Sequence, residues 1–377
     1  MVTAYIGLGS NLGDRERSIR DALGILGGNG NIEVARVSDI QETAPLGQAE
    51  QPKYLNGVAE IRTDLKPTEL LAKLKATEAA LGRRPNTSWQ PRPIDLDLLL
   101  YGDEVVNAPG LTVPHPDIHL RSFVLDGLCQ LNPQLVHPVL KESVSELSRR
   151  LGGGNFLLDP KAPQVVSVAG VIGVGKTTLA RKLAEVLPAE ILPEPYDTNP
   201  FLPQVYAGKS ELALDSQLYF LVNRAEQLSP DRLARGKVFV TDYVFDKELI
   251  YARRLLDGHQ LQLYERVYPA FVRKAAKPTL VIYLEDSPCN CLDRIHGRNR
   301  PYEQTMGLGF LESLDGDYKR LFADWKASPV IRVPASELTG YASDVVERLV
   351  HQVRAYIAPS AVENLGGSQN ADCQNNN

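Results

Sequence analysis

Apolar positions along the chain switch between a period of two and a period near 3.6, and the switches mark out its elements. From Thr3 to Gly9 a short apolar run ends in a Gly/Ser/Asn turn; beyond Asp14, Ile19, Leu23 and Leu26 recur at helical spacing, which predicts strand, turn and helix in that order. Strand-like stretches follow at Ile32 to Ser38, Gly57 to Thr63 and Ile94 to Tyr101, and helices at Pro67 to Leu81, Phe123 to Leu131 and Val144 to Leu151. Strands and helices without regular alternation indicate an α+β domain.

At Gly152 this pattern stops. GGGNFLLDPKAPQ, Gly152 to Gln164, holds three glycines and two prolines, continues neither element and reads as a linker between domain 1–151 and domain 165–358. Val165 to Ala169 is then a continuous apolar strand, followed by a Gly-rich loop and a helix from Thr177 to Val186. Further apolar runs at Val238 to Thr241 and Leu280 to Leu284 lie between long helical patterns, as expected for a parallel sheet covered on both faces. Residues 359–377 are polar and poor in core-forming side chains, so disorder is expected there.

Length agrees with two domains, since 377 residues exceed the roughly 250–300 at which one core stops growing. A net charge of −5 argues against a nucleic-acid polymer as partner. The start, MVTAYIGLGSNLGD, lacks the pattern of a signal peptide and no stretch has the apolar length of a membrane span, so a cytoplasmic protein without membrane partners is expected. Cys129, Cys289, Cys291 and Cys373 are scattered without metal-ligand or disulfide spacing and read as reduced thiols.

The sharpest local feature is PRPIDLDLLLYG, Pro91 to Gly102. On a strand Asp95 and Asp97 share one face while Ile94, Leu96 and Leu98 take the other. Paired carboxylates suit Mg²⁺ bridging a polyphosphate; the plain alternative is a half-exposed strand with one solvated face. GLGSNLGD at Gly7, QPKYLNGV at Gln51, RPIDLDLLLYG and LTVPHPDIHLRSFVL at Leu111 follow in one order, and together they resemble 6-hydroxymethyl-7,8-dihydropterin pyrophosphokinases over residues 1 to 151. The resemblance implies a ferredoxin-like α+β fold and transfer of pyrophosphate from ATP to the pterin's hydroxymethyl group. It also implies two Mg²⁺ ions on Asp95 and Asp97, a pterin pocket of Thr43, Leu46, Tyr54, Asn56 and Phe123, catalytic or phosphate-binding roles for Arg92, His115 and Arg121, and Arg84 and Trp89 in a closing loop that contacts ATP. Here the loop reads GRRPNTSW, with its arginines adjacent, and Gly110 stands where some relatives carry an arginine.

In the second domain GVIGVGKT, Gly170 to Thr177, satisfies G-x-x-x-x-G-K-[ST] between a strand and a helix. Gly170, Gly173 and Gly175 leave the backbone free to cradle phosphate with Thr178, Lys176 can bridge the outer oxygens, and Thr177 can ligate one Mg²⁺. EPY at Glu194, DSQLYFLVNR at Asp215 and RIHGRNRPYEQ at Arg294 then resemble the deoxynucleoside kinases over residues 165 to 333. That implies a three-layer P-loop α/β domain with a central parallel sheet, Glu194 as the base for a 5′-hydroxyl, Gln217 and Arg224 at the nucleobase, Arg294, Arg298 and Arg300 on the ATP phosphates, Glu303 beside the sugar and Asp242 near the metal. It also brings homodimerisation through this domain into view, and Gln217 with Arg224 leans toward purine deoxynucleosides. Two alternatives stay open: a thymidylate-type monophosphate kinase, and a non-catalytic ATP-binding module. The family's arginine after the acidic residue is absent, since VFVTDYVFDKE places Tyr243 there, and Lys247 is the nearest substitute.

Overall fold

The computed structural model describes residues 1–28, 30–46, 51–84, 90–187, 189–341 and 343–358; the expected disordered tail lies outside them. Internal contacts divide the chain into Met1–Leu157 and Leu158–Asn377, each with its own sheet.

The first unit runs β1 (Val2–Ser10), α1 (Arg15–Gly27), β2 (Ile32–Val37), β3 (Gln41–Thr43), β4 (Tyr54–Thr63), α2 (Pro67–Ala80), β5 (Asp95–Tyr101), β6 (Val106–Ala108), β7 (Leu111–Val113), α3 (Ser122–Leu131) and α4 (Val144–Leu151). Its main strands pair antiparallel in the order β2-β4-β1-β5, with β3 added to β4. A βαββαβ path with this order is the ferredoxin-like arrangement. Asp14 caps α1 by accepting from Arg17 N at 3.1 Å, and Pro67 opens α2, where the missing N–H costs nothing. Ile19 and Leu26 of α1 and Leu70 and Leu74 of α2 pack on Ile6, Ile61, Leu96 and Leu98, so the helices cover the sheet face away from Asp95 and Asp97. That leaves the aspartates' face for a site. The three-residue strands β3, β6 and β7 are absent from the sequence reading because so few positions show no period.

The second unit contains β8 (Gln164–Ala169), α5 (Lys176–Val186), β9 (Glu190–Leu192), α6 (Leu202–Tyr206), α7 (Ala213–Gln227), β10 (Val238–Thr241), α8 (Lys247–Leu255), α9 (Gly258–Val272), β11 (Leu280–Glu285), α10 (Pro288–Gly297), α11 (Leu308–Ala323), β12 (Val330–Pro334) and α12 (Ser343–Ala355). Five parallel strands lie in the order β12-β11-β8-β10-β9. Every residue of β8 and β10 is buried, so both sheet faces are covered. Val165 and Phe239 pack with Leu221 and Ala225 of α7 and Tyr264 of α9. Sequence order reverses on either side of β8, and the loop leaving its carboxyl end sits at that switch point, where open α/β sheets bind ligands.

The segment expected to link the domains is shared between them. Gly152 ends α4 in the left-handed conformation at φ 55°, and Phe156 N donates to Leu120 O at 2.9 Å within the first unit. The Gln164 amide donates to Asp159 O and Ala162 O at 2.9 and 2.8 Å in the second.

Candidate active sites

In the first unit a cavity of about 290 Å³ lies on the sheet face that α1 and α2 leave open. Gly7 and Gly9 of β1 stand in register with Asp97 and Asp95 of β5. A Cβ on Gly9 would meet Asn56 Oδ1 at 3.1 Å and Asp95 Cβ at 3.5 Å, so glycine keeps the floor open beside the carboxylates. Cations hold the two anions in place: Arg83 contacts Asp95, Arg92 Nη1 lies 3.2 Å from Asp95 Oδ2, and Arg121 Nη1 lies 3.9 Å from Asp97 Oδ2. Burial works against the Arg92 charge, yet Asp95 beside it keeps the guanidinium above its ordinary pKa. Burial pushes the His115 imidazole down, with Asp97 pulling the other way, and His115 Nδ1 accepts from Asp117 N at 3.2 Å.

On the opposite wall Asn56 Nδ2 donates to Thr43 Oγ1 at 2.7 Å and Tyr54 Oη to Gln51 Oε1 at 3.2 Å, while Leu46 and Phe123 supply apolar surface. Thr43, Leu46, Tyr54, Asn56, Arg92, Asp95, Asp97, His115, Arg121 and Phe123 thus meet in one cavity. Arg84 is exposed and not among its lining residues, and Trp89 lies outside the described residues. Arg83 is the arginine that turns inward. Glu78, itself 2% exposed, accepts from Arg83, from Leu96 N at 2.7 Å and from Lys75 Nζ at 2.9 Å, and so anchors the guanidinium that reaches Asp95. Asn11 was also missed: its Oδ1 accepts from Arg92 N at 2.7 Å. In sequence it is one turn residue among several.

In the second unit a cavity of about 100 Å³ opens at the end of β8. Gly173 has φ 84°, and a Cβ there would lie 2.5 Å from Cys291 O, so only glycine lets this loop close against α10. Lys176 Nζ donates to Val171 O at 2.9 Å, curled over the loop. Thr177 Oγ1 donates to Asp242 Oδ2 at 2.5 Å, and Asp242 Oδ1 accepts from Glu194 N at 2.7 Å, so the buried aspartate ties the loop to the segment after β9 that carries Glu194. Hard oxygen donors beside the phosphate loop fit Mg²⁺.

Glu194 is enclosed by cations. Its Oε1 contacts Arg224 Nη2, and its Oε2 accepts from Lys247 Nζ at 2.6 Å. Burial alone would raise the Glu194 pKa, but Lys247 and then Arg224 overrule it and hold the carboxyl far below its ordinary value. Arg224 also pairs with fully buried Glu248, which accepts from Tyr264 Oη at 2.6 Å. Burial lowers Lys247 to about 8, against the pull of Glu194. Arg298 grips Glu303 through two bonds of 2.7 Å, and Arg300 reaches Glu303 at 3.5 Å and the Tyr196 hydroxyl.

Gly173, Lys176, Thr177, Glu194, Gln217, Arg224, Asp242, Arg298, Arg300 and Glu303 line this cavity. Gly170, Gly175, Thr178 and Arg294 are not among its lining residues; Gly170 and Gly175 shape the loop backbone, Thr178 is exposed, and Arg294 Nε donates to Gly173 O at 2.7 Å. Lys247 and Glu248 are the functional candidates that sequence reasoning undervalued, because a Lys-Glu pair at a helix start reads as a solvated turn.

A family model described as 7,8-dihydro-6-hydroxymethylpterin-pyrophosphokinase matches residues 5–133, and one described as deoxynucleoside kinase matches residues 166–358. The 2-amino-4-hydroxy-6-hydroxymethyldihydropteridine pyrophosphokinase of Aquifex aeolicus is 39% identical over 146 residues, 39% of this chain and 90% of that protein. The bifunctional protein FolKE of Lactococcus lactis is 31% identical over 166 residues, 44% of this chain and 48% of that protein. Deoxyguanosine kinase of Bacillus subtilis is 34% identical over 157 residues, 41% of this chain and 76% of that protein. Among the described residues no helix is long and apolar enough to cross a membrane.

Proposed function

The chain belongs to the pterin pyrophosphokinase family in its first unit and to the deoxynucleoside kinase family in its second, and from that premise we propose two separate ATP-dependent transfers. In the first cavity Tyr54, Asn56, Thr43, Leu46 and Phe123 hold 6-hydroxymethyl-7,8-dihydropterin by stacking and by matching its amide edge. Its hydroxymethyl oxygen attacks the β-phosphorus of ATP and gives up its proton to water. The bond from that phosphorus to the α-phosphate oxygen breaks, and AMP leaves. Arg92 and Arg121 neutralise charge on the phosphates, and His115, whose imidazole burial shifts toward the neutral form, can bond the reacting oxygens. Asp95 and Asp97 would hold two Mg²⁺ ions, which supply charge neutralisation along the triphosphate.

In the second cavity Glu194 orients the 5′-hydroxyl of a deoxynucleoside and takes its proton as the oxygen bonds to the γ-phosphorus; the bond to the β-phosphate oxygen breaks and ADP leaves. Lys176, Arg298 and Arg300 face the transferring group, with Arg294 behind the loop, and Thr177 and Asp242 would hold one Mg²⁺. Gln217 reads the base edge beside Arg224, and Glu303 lies on the sugar side. Purine deoxynucleosides are the favoured acceptors, supported by the deoxyguanosine kinase relative.

The observation that carries the second reading is one cavity joining the phosphate loop, the Thr177–Asp242 pair and the Glu194 carboxylate. The full chain incubated with ATP, Mg²⁺ and single acceptors, with products identified by mass, tests both transfers. The expected products are pterin diphosphate with AMP, and deoxynucleoside 5′-monophosphates with ADP, most from deoxyguanosine or deoxyadenosine. Phosphorylation of thymidylate with no reaction of any deoxynucleoside would replace the second reading with a monophosphate kinase.

A further inference from the structure

Tyr243 stands next to Asp242, where the resembling deoxynucleoside kinases carry an arginine, and a phenol carries no positive charge. The residue is 1% exposed, and its hydroxyl donates to Gln227 Oε1 at 2.7 Å. A charge reaches Glu194 by another route. The chain continues through the buried residues Val244 and Phe245 to the start of α8, and the first residue of that helix, Lys247, is 3% exposed with its Nζ 2.6 Å from Glu194 Oε2. Its ammonium also lies 5.3 Å from the Tyr251 ring centroid, one turn on, so the side chain has an aromatic face beside it.

The two cations at Glu194 are not equivalent. Arg224 is shared, because its other arm contacts Glu248. Among the described residues Lys247 has no other acidic partner. It approaches the oxygen that Arg224 does not touch, so together they fix the carboxylate plane and leave each oxygen a further lone pair for a hydroxyl.

We infer that Lys247 is the positioning residue for Glu194, supplying from the start of α8 the charge that Tyr243 cannot. It does not touch the reacting atoms and acts through the carboxylate it orients. The inference rests on the proposed deoxynucleoside kinase activity and deepens it. In a loose phosphoryl-transfer transition state the base chiefly orients the hydroxyl and receives its proton late, so orientation outweighs basicity. A charge-assisted bond is also about twice as strong as a neutral one.

The charged groups facing Lys247 are Glu194 after β9, Arg224 from α7 and Lys176 from α5. Because burial lowers the ammonium to about 8, positioning should weaken as pH rises through that value. The pH profile of kcat/KM reads groups of the free enzyme.

The test uses the full chain and measures deoxynucleoside monophosphate formation from pH 6.5 to 10 for wild type, Lys247→Arg and Lys247→Met. Wild type should decline above about pH 8, the arginine variant should keep kcat within about threefold and lose that decline, and the methionine variant should lose about 10- to 100-fold in kcat with little change in KM for ATP. Wild-type kcat in Lys247→Met, or an unchanged alkaline decline in Lys247→Arg, overturns the inference. If Lys247→Met does not fold by circular dichroism, the arginine profile decides alone. A wild-type chain that phosphorylates no deoxynucleoside at any pH defeats the parent reading instead, which separates the two failures.

Discussion

Replacing Glu194 by glutamine preserves volume but not electrostatics. Both carboxylate oxygens face a cation, Arg224 on one side and Lys247 at 2.6 Å on the other. A glutamine amide has one oxygen, so its NH₂ must point at one of the two cations, donor against donor. Breaking a buried ion pair by neutralising one partner costs about 3–5 kcal/mol, and the lower end applies because Arg224 keeps Glu248. Removing the proton acceptor should also slow transfer by about 10²–10⁴-fold. Single-turnover formation of deoxynucleoside monophosphate measures the rate, and denaturant unfolding followed by a probe in the second unit measures stability. The variant should show both losses, with ATP binding close to wild type by calorimetry. A wild-type single-turnover rate would place the base elsewhere; a slow rate with unchanged stability would mean that the buried ion cluster contributes nothing to the fold.

Gly173→Ala should abolish deoxynucleoside phosphorylation and raise the Kd for ATP at least about tenfold, because a Cβ at φ 84° would sit 2.5 Å from Cys291 O; calorimetry checks it. His137 is 4% exposed, its Nδ1 accepts from Val139 N and Leu140 N at 3.2 and 3.1 Å, and burial lowers its pKa to about 4. The unfolded chain binds this proton first as pH falls from about 6.5, so the first unit should lose about 2 kcal/mol between pH 7 and 5, and His137→Gln should flatten that slope in urea unfolding. Arg83→Ala should lower kcat/KM for pterin pyrophosphorylation about 10- to 100-fold, since it removes the charge-assisted bond to Asp95; less than a twofold change would make the inward arginine a bystander.

The parts legible in sequence are those whose chemistry coincides with a period or a contiguous motif. Asp95 and Asp97 could be placed on one face because strand alternation puts them there, and the phosphate loop could be placed because its glycines sit between an apolar strand and a helix. Arg83 and Arg84 differ by one position, and only the fold around Glu78 shows which turns inward. Lys247 and Glu248 carry no apolar period, and their burial follows from α8 packing beside α7, a contact made far along the chain. The expected linker looked like a spacer by composition, yet its backbone and side chains bond to one unit or the other. Glu194 was legible as a carboxylate at a strand end, but its two cations come from α7 and α8 and belong to tertiary structure.

One chain holds two catalytic centres, each with its own nucleotide site. Asp97→Ala removes a carboxylate from the first cavity, and Lys176→Ala removes the phosphate-loop ammonium from the second. The direct measurement is the full product profile of each variant in the full-length chain, given ATP, Mg²⁺, the pterin and deoxyguanosine together. Asp97→Ala should lose AMP and pterin diphosphate while making deoxyguanosine monophosphate to within about twofold of wild type, and Lys176→Ala should do the reverse. Loss of both products in either variant, with the fold intact, would contradict the account.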